Sequence, residues 1–383
     1  MTTAAPVRVA VDAMGGENDP QAAVWGALDV VAEGQARALL VGDPPRLQAA
    51  FDGWRTAHPA VARGADERLR SSVEIVPAGS VITMDEHPAH AVRSKPDASV
   101  VVATRLVAEA RAAACVSAGN SGATLAAALF TVGRIRGIDR PAIGADLPTA
   151  TGTSFLVDAG ANADCHPEWL SQFGVMGDVY ARLMLGIDTP RIGLLSNGEE
   201  PEKGSHLAQE AHRLLGASQL RFVGNVEGTA LLSGACDVIV TDGFTGNIAL
   251  KTAEGVAQFL FSAISHEARG SLLGKAGGAL LAPRLRPLRD RADYRRTGGA
   301  LLLGVAGEVV VAHGRSDALA MAGAVRVAVR AARQGVSARI ATAMRAGQPA
   351  GAGPSSAAAR SRRRSPARAT PADPPTSSGS ATG

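Results

Sequence analysis

Residues 237–251, with the sequence DVIVTDGFTGNIALK, join a short strand, a polar turn and the start of a helix. The β-branched run Val238–Val240 is typical of a buried strand. An apolar pattern beginning at Ile248 predicts the helix that follows. Between them, residues 241–247 combine glycine with carboxylate, hydroxyl and amide groups. This order offers backbone N–H groups and a helix N-terminus to an anion, although a tight turn that binds nothing fits the stretch equally well.

The same order of strand, Gly/Asx turn and helix recurs along the chain. Further strands are predicted at residues 7–11, 38–41, 73–76, 115–117, 155–157, 192–195 and 221–223. Helices are predicted at residues 97–113, from residue 123, at 167–185 and at 203–215. Strands that alternate with helices predict an α/β fold with a mostly parallel sheet and helices on both faces. Because ligands bind outside the carboxyl ends of such strands, where the turns lie, we predict that the turns form one site.

The net charge of +4 has a local origin. Residues 346–383 contain five arginines and one aspartate in a segment rich in Pro, Ser and Ala, which predicts a disordered tail. The remainder, residues 1–345, is neutral and is predicted to form one α/β domain, so nucleic-acid binding is not predicted. Hydrophobic residues make up 46% of the chain but aromatic residues only 3%, which predicts a core of small aliphatic side chains.

The three cysteines show no metal or disulfide spacing. Cys115 and Cys236 adjoin apolar runs and are predicted core residues, whereas Cys165 lies in a polar loop and is a candidate reactive thiol. No charged-then-apolar leader precedes the first strand, and no apolar run is long enough for a transmembrane helix. We therefore expect a cytoplasmic protein.

The absence of several common motifs limits the kinds of ligand and reaction that the turns can serve. The sequence contains no GxGxxG after its first strand, no Walker-type P-loop, no HExxH or EF-hand pattern and no GxSxG elbow. No metal or organic cofactor is predicted. The remaining amide, hydroxyl and backbone donors, together with Lys203 and Lys251, suit a small oxyanion such as phosphate.

Several ordered segments carry a resemblance to a known family. They are VDAMGGENDP, VSAGNSGATLA, LVDAGAN, LLSNGEEPEKG, FVGNVEG, TDGFTGNIALK and LLGVAGEVVVAHGRSD. In register from residue 7 to about residue 333, they resemble the bacterial acyl-(acyl carrier protein):phosphate acyltransferase (PlsX) family of phospholipid synthesis. The departures are small: Glu17 stands where the family usually has Asp, Ser121 replaces Thr, and Ser196-Asn197 precedes Gly-Glu-Glu.

This resemblance implies a fold shared with phosphotransacetylases and isocitrate-dehydrogenase-like enzymes, and a homodimer. It also implies a reaction in which inorganic phosphate attacks a long-chain acyl thioester on acyl carrier protein. The products are acyl phosphate and free carrier protein, and a glycerol-3-phosphate acyltransferase then uses the acyl phosphate. Phosphate is already a nucleophile at neutral pH, and a thiol with a pKa of about 8.5 is a good leaving group. The enzyme must therefore mainly position phosphate and stabilise the oxyanion.

The resemblance and the turn chemistry together give the candidate site. The predicted catalytic residues are Asp12, Lys95, Asp158, Asp242, Lys251 and His313. The predicted substrate- and phosphate-binding residues are Gly15, Gly16, Ser117, Gly119, Asn120, Ser121, Gly122, Asn162, Asn197, Glu199, Lys203, Asn225, Glu227, Gly243, Thr245, Gly246 and Asn247. Arg93 is a further candidate beside Lys95. For His313, donation to an oxyanion and capping of the final helix remain alternatives.

Within a predicted hairpin at about residues 265–296, residues 271–296 alternate leucines with lysine and arginines. A basic amphipathic hairpin suits an anionic membrane surface or an acidic carrier protein, whereas a pair of dimer-packing helices is the alternative. Pro283 and Pro287 argue against one continuous helix. The resemblance implies peripheral membrane contact in some bacteria. Two other functions remain open: a phosphotransacetylase-like enzyme that uses acyl-coenzyme A, and a non-catalytic scaffold that binds carrier protein or membrane.

Overall fold

The computed structural model describes residues 5–18, 20–292 and 298–346, with the backbone alone for Leu272 and residues 285–292. Its strands are β1 (Val7–Asp12), β2 (Ala36–Gly42), β3 (Val73–Pro77), β4 (Ala114–Ser117), β5 (Ala142–Pro148), β6 (Thr153–Val157), β7 (Ile192–Leu195), β8 (Phe222–Val226), β9 (Val238–Val240), β10 (Ala300–Leu303) and β11 (Glu308–Val311). Beyond Ala346, the predicted tail lies outside the described residues, as do residues 293–297 of the predicted hairpin.

Helices of very different length connect these strands. They are α1 (Gln21–Ala32), α2 (Pro44–Ala57), α3 (Pro59–Gly64), α4 (Asp66–Ser72), α5 (Pro88–Ser94), α6 (Ser99–Ala108), α7 (Ser121–Thr131), α8 (Pro167–Tyr180) with a π-helical turn at Ala181–Leu185, α9 (His206–Gly216), α10 (Ala230–Ser233), α11 (Gly243–Arg269), α12 (Leu272–Ala292), α13 (Ala318–Gln334) and α14 (Val336–Ala346).

The strands form one eleven-stranded sheet in the order β3-β2-β1-β4-β11-β10-β5-β6-β9-β7-β8. Seven of the pairings are parallel, which confirms the predicted mostly parallel α/β fold. The antiparallel strands β10 and β5 join a group containing β1, β2, β3, β4 and β11 to a group containing β6, β7, β8 and β9. These antiparallel pairings make the two groups run in opposite directions. The carboxyl ends of the strands in the two groups therefore point in opposite directions along the sheet.

The core consists of small aliphatic side chains, as predicted. Helix α13 packs against α1 and against β1, β4 and β11, and most of its side chains are buried. Gly26 permits this close packing, because a Cβ there would lie 2.5 Å from the Ala322 nitrogen. Cys115 and Cys236 are buried in the core, which confirms their prediction. The Phe155 and Tyr180 rings stack at 3.8 Å and are among the few aromatic contacts in the core.

Helix α11 begins earlier than the apolar pattern predicts. Its first residue is Gly243 and its N-cap is Asp242, so residues 243–247 belong to the helix and not to a preceding turn. The apolar pattern starts late because the first turns of the helix pack through glycine against other backbone. Helix α12 also differs from prediction, since it continues through Pro283 and Pro287. Pro283 is exposed, so water can hydrogen-bond the carbonyl group that a proline leaves without an N–H partner.

The other helix predictions are correct in type and differ at their ends. Helix α7 begins at Ser121 because the Asn120 side chain accepts from the Ala123 N–H. Helix α9 begins at His206 because Ser205 caps it and Gly204 has a φ of 93°. Strands β5 and β10, which link the two groups, were not predicted.

Candidate active site

A cavity of about 770 Å³ lies between the turns of the two strand groups. Its polar lining residues include Glu17, Gly119, Ser121, Asn247, Lys251 and His313. The alternating residues Ile143, Ala145 and Leu147 of β5 supply an apolar wall. Leu232 from α10 and Leu250, Ala253 and Ala257 from α11 extend that wall. A pocket with a long apolar wall and a few polar groups suits a molecule with one apolar and one charged end.

The glycine-rich turns after β1 and β4, in the first strand group, contact each other next to this cavity. Ser117, at the end of β4, donates to the Asp12 carboxylate at the end of β1 over 2.7 Å. The Ser117 hydroxyl oxygen also accepts from the Gly119 N–H at 3.1 Å. A Cβ on Gly15 would lie 2.8 Å from the Gly119 Cα, so the two backbones meet where side chains are absent. Burial raises the pKa of Asp12, although its hydrogen bonds to donors oppose that shift.

Asn120 and Lys95 act on a neighbouring loop and do not line the cavity. The Asn120 side-chain amide donates to the Met84 carbonyl at 3.2 Å, while its oxygen caps α7. The Lys95 ammonium lies 2.8 Å from the Glu86 carboxylate and 3.0 Å from the Val81 carbonyl. Arg93, proposed beside Lys95, stacks on the Phe130 ring at 4.9 Å. Both basic side chains thus have protein partners in the structure.

In the second strand group, Asp158 organises the turn after β6. Its carboxylate accepts from the N–H groups of Ile143, Gly160 and Ala161 at 3.0 Å each. It also accepts from the backbone and side-chain amides of Asn162, both at 2.8 Å. Burial raises the pKa of Asp158, and these donors partly offset the rise. Asp158 and Asn162 therefore hold the turn after β6 in place.

The N-terminus of α11 rests directly on this turn. Asp242 caps the helix by accepting from the Thr245 N–H and hydroxyl, both at 2.8 Å. The Gly243 N–H donates to the Asn162 carbonyl at 2.7 Å. A Cβ on Gly246 would overlap the Asp158 carbonyl oxygen. Gly243 and Gly246 are thus required, because a side chain at either position would clash with neighbouring backbone.

Asn247 and Lys251 bring α11 to the cavity. They are separated by about one helical turn, and both line the cavity wall. The Lys251 ammonium lies 2.7 Å from the Glu254 carboxylate, which lines the same wall. Glu254 therefore partly neutralises the positive charge that Lys251 offers to an anion bound here.

His313 lines the cavity from the turn after β11. Its Nδ1 accepts from the Arg315 N–H at 3.1 Å, so a neutral ring carries its proton on Nε2. That tautomer makes Nε2 a donor. The N-cap of α13 is Asp317, which accepts from the Ala320 N–H at 2.9 Å. The alternative that His313 caps this helix is therefore wrong.

Comparison with known proteins identifies the family. The sequence matches the family described as Fatty acid synthesis protein over residues 7–339. It is 47% identical over 330 residues to the phosphate acyltransferase of Moorella thermoacetica, covering 86% of this chain and 94% of the relative. It is 44% identical over 338 residues to the phosphate acyltransferase of Trichodesmium erythraeum, covering 88% and 96%. The chain belongs to the phosphate acyltransferase family.

Solved structures support the fold of this phosphate acyltransferase family member. A phosphotransacetylase from Streptococcus pyogenes aligns with a TM-score of 0.58 at 16% identity, covering 86% of this chain and 94% of that one. EutD phosphotransacetylase from Staphylococcus aureus aligns with a TM-score of 0.51 at 15% identity, covering 85% and 94%. The predicted fold shared with phosphotransacetylases is confirmed.

Several candidates from the family resemblance lie away from the cavity wall. Asn225 is buried in β8, where it contacts His212 at 2.9 Å and donates to the Glu200 carbonyl at 2.7 Å. The other candidates on the turns after β7 and β8 are exposed, namely Asn197, Glu199, Lys203 and Glu227. Gly122 packs against Pro88 at the start of α7, and Gly16 lies half-buried in the turn after β1.

Sequence reasoning missed the apolar wall of the cavity and the Met84 loop. The alternation of Ile143, Ala145 and Leu147 is a strand signal that predicts one apolar face.

Cys165, a candidate reactive thiol from its sequence, does not have the environment of one. Burial raises its pKa to about 12 and makes a reactive thiolate unfavourable near neutral pH. Among the described residues, no cluster of His, Cys, Asp and Glu suits a metal ion.

Proposed function

We propose that this protein transfers a long-chain acyl group from acyl carrier protein to inorganic phosphate, releasing the carrier thiol and acyl phosphate. The observation that carries the proposal is a single cavity whose apolar wall continues into polar turns from both strand groups. Membership of the phosphate acyltransferase family supports the choice of phosphate as acceptor. A volume of about 770 Å³ supports an acyl group much larger than acetyl.

In the proposed reaction, a phosphate oxygen attacks the thioester carbonyl carbon. The carbon–sulfur bond breaks, and the carrier leaves as a thiolate that takes up a proton. The cradle consists of the turn at residues 117–122 and the N-terminus of α11 at residues 242–247, with Lys251 opposing the phosphate charge. His313 donates from Nε2 to the carbonyl oxygen as negative charge develops there. Asp12, Asp158 and Asp242 hold the turns in place and do not themselves contact phosphate.

The partners follow from this reaction. Acyl carrier protein supplies the acyl group, and a glycerol-3-phosphate acyltransferase consumes the acyl phosphate. We propose a cytoplasmic homodimer that contacts the anionic membrane surface through α11 and α12, without a nucleic-acid partner. Exposed Phe259, Leu273 and Leu280 on these helices support such a contact. Among the described residues, no helix is both long and apolar enough to span a membrane.

The test is direct detection of acyl phosphate. Purified protein is incubated with palmitoyl-acyl carrier protein and phosphate, and acyl phosphate is trapped with hydroxylamine. The proposal predicts acyl hydroxamate that depends on both substrates. Failure to form acyl hydroxamate with any saturated acyl-carrier protein, from eight to eighteen carbons in the acyl chain, would contradict the proposal. The control is to show that the acyl-carrier protein is still intact before the reaction starts.

An acyl-coenzyme A:phosphate acyltransferase is the alternative, favoured by the fold that the chain shares with phosphotransacetylases. Parallel assays with acetyl-coenzyme A and palmitoyl-acyl carrier protein separate the two functions. We expect the larger kcat/KM for the carrier-protein substrate. A larger value for acetyl-coenzyme A supports the alternative. A non-catalytic scaffold predicts no turnover of either substrate.

A further inference from the structure

A loop that carries no predicted site residue reaches the cavity beside the first pair of glycine turns. Its Met84 lines the cavity together with Gly119, Ser121 and His313. The Met84 side chain is 46% exposed, so it presents apolar surface to the cavity and is not buried in the core. Among the lining residues near these polar turns, it is the one with a long, flexible apolar side chain.

The protein fixes this loop from two sides. Asn120 donates to the Met84 carbonyl at 3.2 Å and thereby ties the loop to the N-cap of α7. Lys95 contacts Glu86 at 2.8 Å, and Glu86 in turn accepts from the Thr83 N–H at 2.8 Å. Lys95 and Asn120, although predicted to bind substrate, therefore hold the segment that carries Met84.

The tip of Met84 fits a space left by a missing side chain. A Cβ on Gly314 would lie 2.8 Å from the Met84 terminal methyl carbon and 3.5 Å from the Glu17 carboxylate. Gly314 follows His313, and its carbonyl accepts from the Glu17 N–H at 2.8 Å. Met84 thus covers the junction of the turns at Glu17, Gly119 and His313.

An enzyme that transfers an acyl group to phosphate must prevent transfer to water. Water is far more concentrated than phosphate, and its attack on the same carbonyl carbon would break the carbon–sulfur bond and give a free fatty acid. In that reaction one proton of water passes to the departing thiolate. Excluding water from the reacting carbonyl is a recognised function of apolar groups at active sites.

Resting on the function proposed above, we propose that Met84 is a specificity-determining residue that selects phosphate over water. Its thioether covers the phosphate end of the cavity and leaves no room for a second nucleophile beside the thioester. Lys95 and Asn120 are positioning residues that act through the loop. Gly314 leaves the space that the Met84 methyl group occupies.

The test measures the ratio of free fatty acid to acyl phosphate formed from palmitoyl-acyl carrier protein, with acyl phosphate trapped by hydroxylamine. Met84→Ala should raise this ratio several-fold, and it should also raise thioester hydrolysis in phosphate-free buffer. Gly314→Ala should change the ratio in the same direction, because its new methyl group displaces the flexible end of Met84. Met84→Leu should retain the wild-type ratio, since it preserves an apolar cover.

Two further variants sharpen the interpretation. Lys95→Gln should raise the ratio if Lys95 positions the loop, whereas a raised KM for phosphate with an unchanged ratio would show that Lys95 binds phosphate. Val61→Ala removes an equally exposed apolar side chain from α3 and should match the wild type. Equal loss of both products in Met84→Ala, or an unchanged ratio, overturns the proposal. Absence of acyl phosphate from the wild-type protein contradicts the proposed function instead.

Discussion

Lys251 and Lys203 are both candidates for opposing the phosphate charge, but their surroundings differ. Lys251 lines the cavity, whereas Lys203 is exposed on the turn after β7 and is not part of the cavity wall. We expect Lys251→Ala to lower acyl phosphate formation by on the order of 100-fold, as loss of one charge-stabilising donor does elsewhere. Lys203→Ala should remain near the wild-type rate. Steady-state assays on folded variants check this, and the reverse ranking would refute the assignment.

Glu254 provides a second test of the same site. Its carboxylate lies 2.7 Å from the Lys251 ammonium and faces the cavity. Glu254→Gln removes a negative charge that repels phosphate, so the KM for phosphate should fall. The KM for the acyl donor should not change. Arg213→Gln, which breaks the exposed pair with Glu210, is the matched control and should alter neither constant.

At the scale of elements, the start of α11 depends on glycine where it meets the Asp158 turn. A Cβ at Gly246 would overlap the Asp158 carbonyl oxygen, so Gly246→Ala should lower the free energy of unfolding by about 3 kcal/mol. Gly255 lies in the same helix with open space around it. Gly255→Ala should therefore raise the free energy of unfolding by about 0.5–1 kcal/mol, because alanine favours the helix. Urea denaturation of both variants distinguishes packing from helix propensity.

The contact between β11 and α14 predicts a pH dependence of stability. Glu308 is buried and accepts from the Ser337 N–H at 2.8 Å and from its hydroxyl at 2.9 Å. Burial raises the pKa of Glu308 above its ordinary value of 4.5. The folded protein then holds this proton to higher pH than the unfolded chain, so stability from this group falls as pH rises above 4.5.

Glu308→Gln removes this titration while keeping an oxygen acceptor. The unfolding free energy of the wild type relative to Glu308→Gln should therefore decrease as pH rises through that window. It should level off above the raised pKa. Urea denaturation across a pH series measures the difference. A difference that grows in favour of the wild type with rising pH would show that the charged form is stabilised by folding.

For the whole molecule, the proposed membrane contact involves the exposed surface of α11 and α12. Leu280 is 80% exposed on α12, and a carboxylate there should oppose both burial in lipid and approach to anionic headgroups. Leu280→Glu should reduce cosedimentation with phosphatidylglycerol vesicles, with acyl phosphate formation in solution unchanged. Val61→Glu on α3 is the exposed control. Unaltered cosedimentation of Leu280→Glu would remove the membrane proposal and leave carrier protein or a second copy as the partner.

Much of this protein follows from its sequence by itself. The repeated strand, turn and helix pattern predicts the α/β class, because side-chain periodicity and turn composition are local properties. The pattern also predicts the strands that precede the turns near the site, including β1, β4, β6 and β9. The ordered motifs predict the family, and Cys115 and Cys236 are assigned to the core from their apolar neighbours.

Only the tertiary structure decided which polar residues face the cavity. A sequence pattern does not reveal that β5 and β10 reverse the direction of the second strand group, since strand pairing depends on residues far apart in the chain. Strand order likewise separates Lys203 from Lys251, since β9 lies nearer the first strand group than β7 does. Hydrogen bonds assign Asp158 to holding its own turn and Asn120 to holding the distant Met84 loop. Sequence determined the local chemistry, and long-range packing determined which of those groups can meet a substrate.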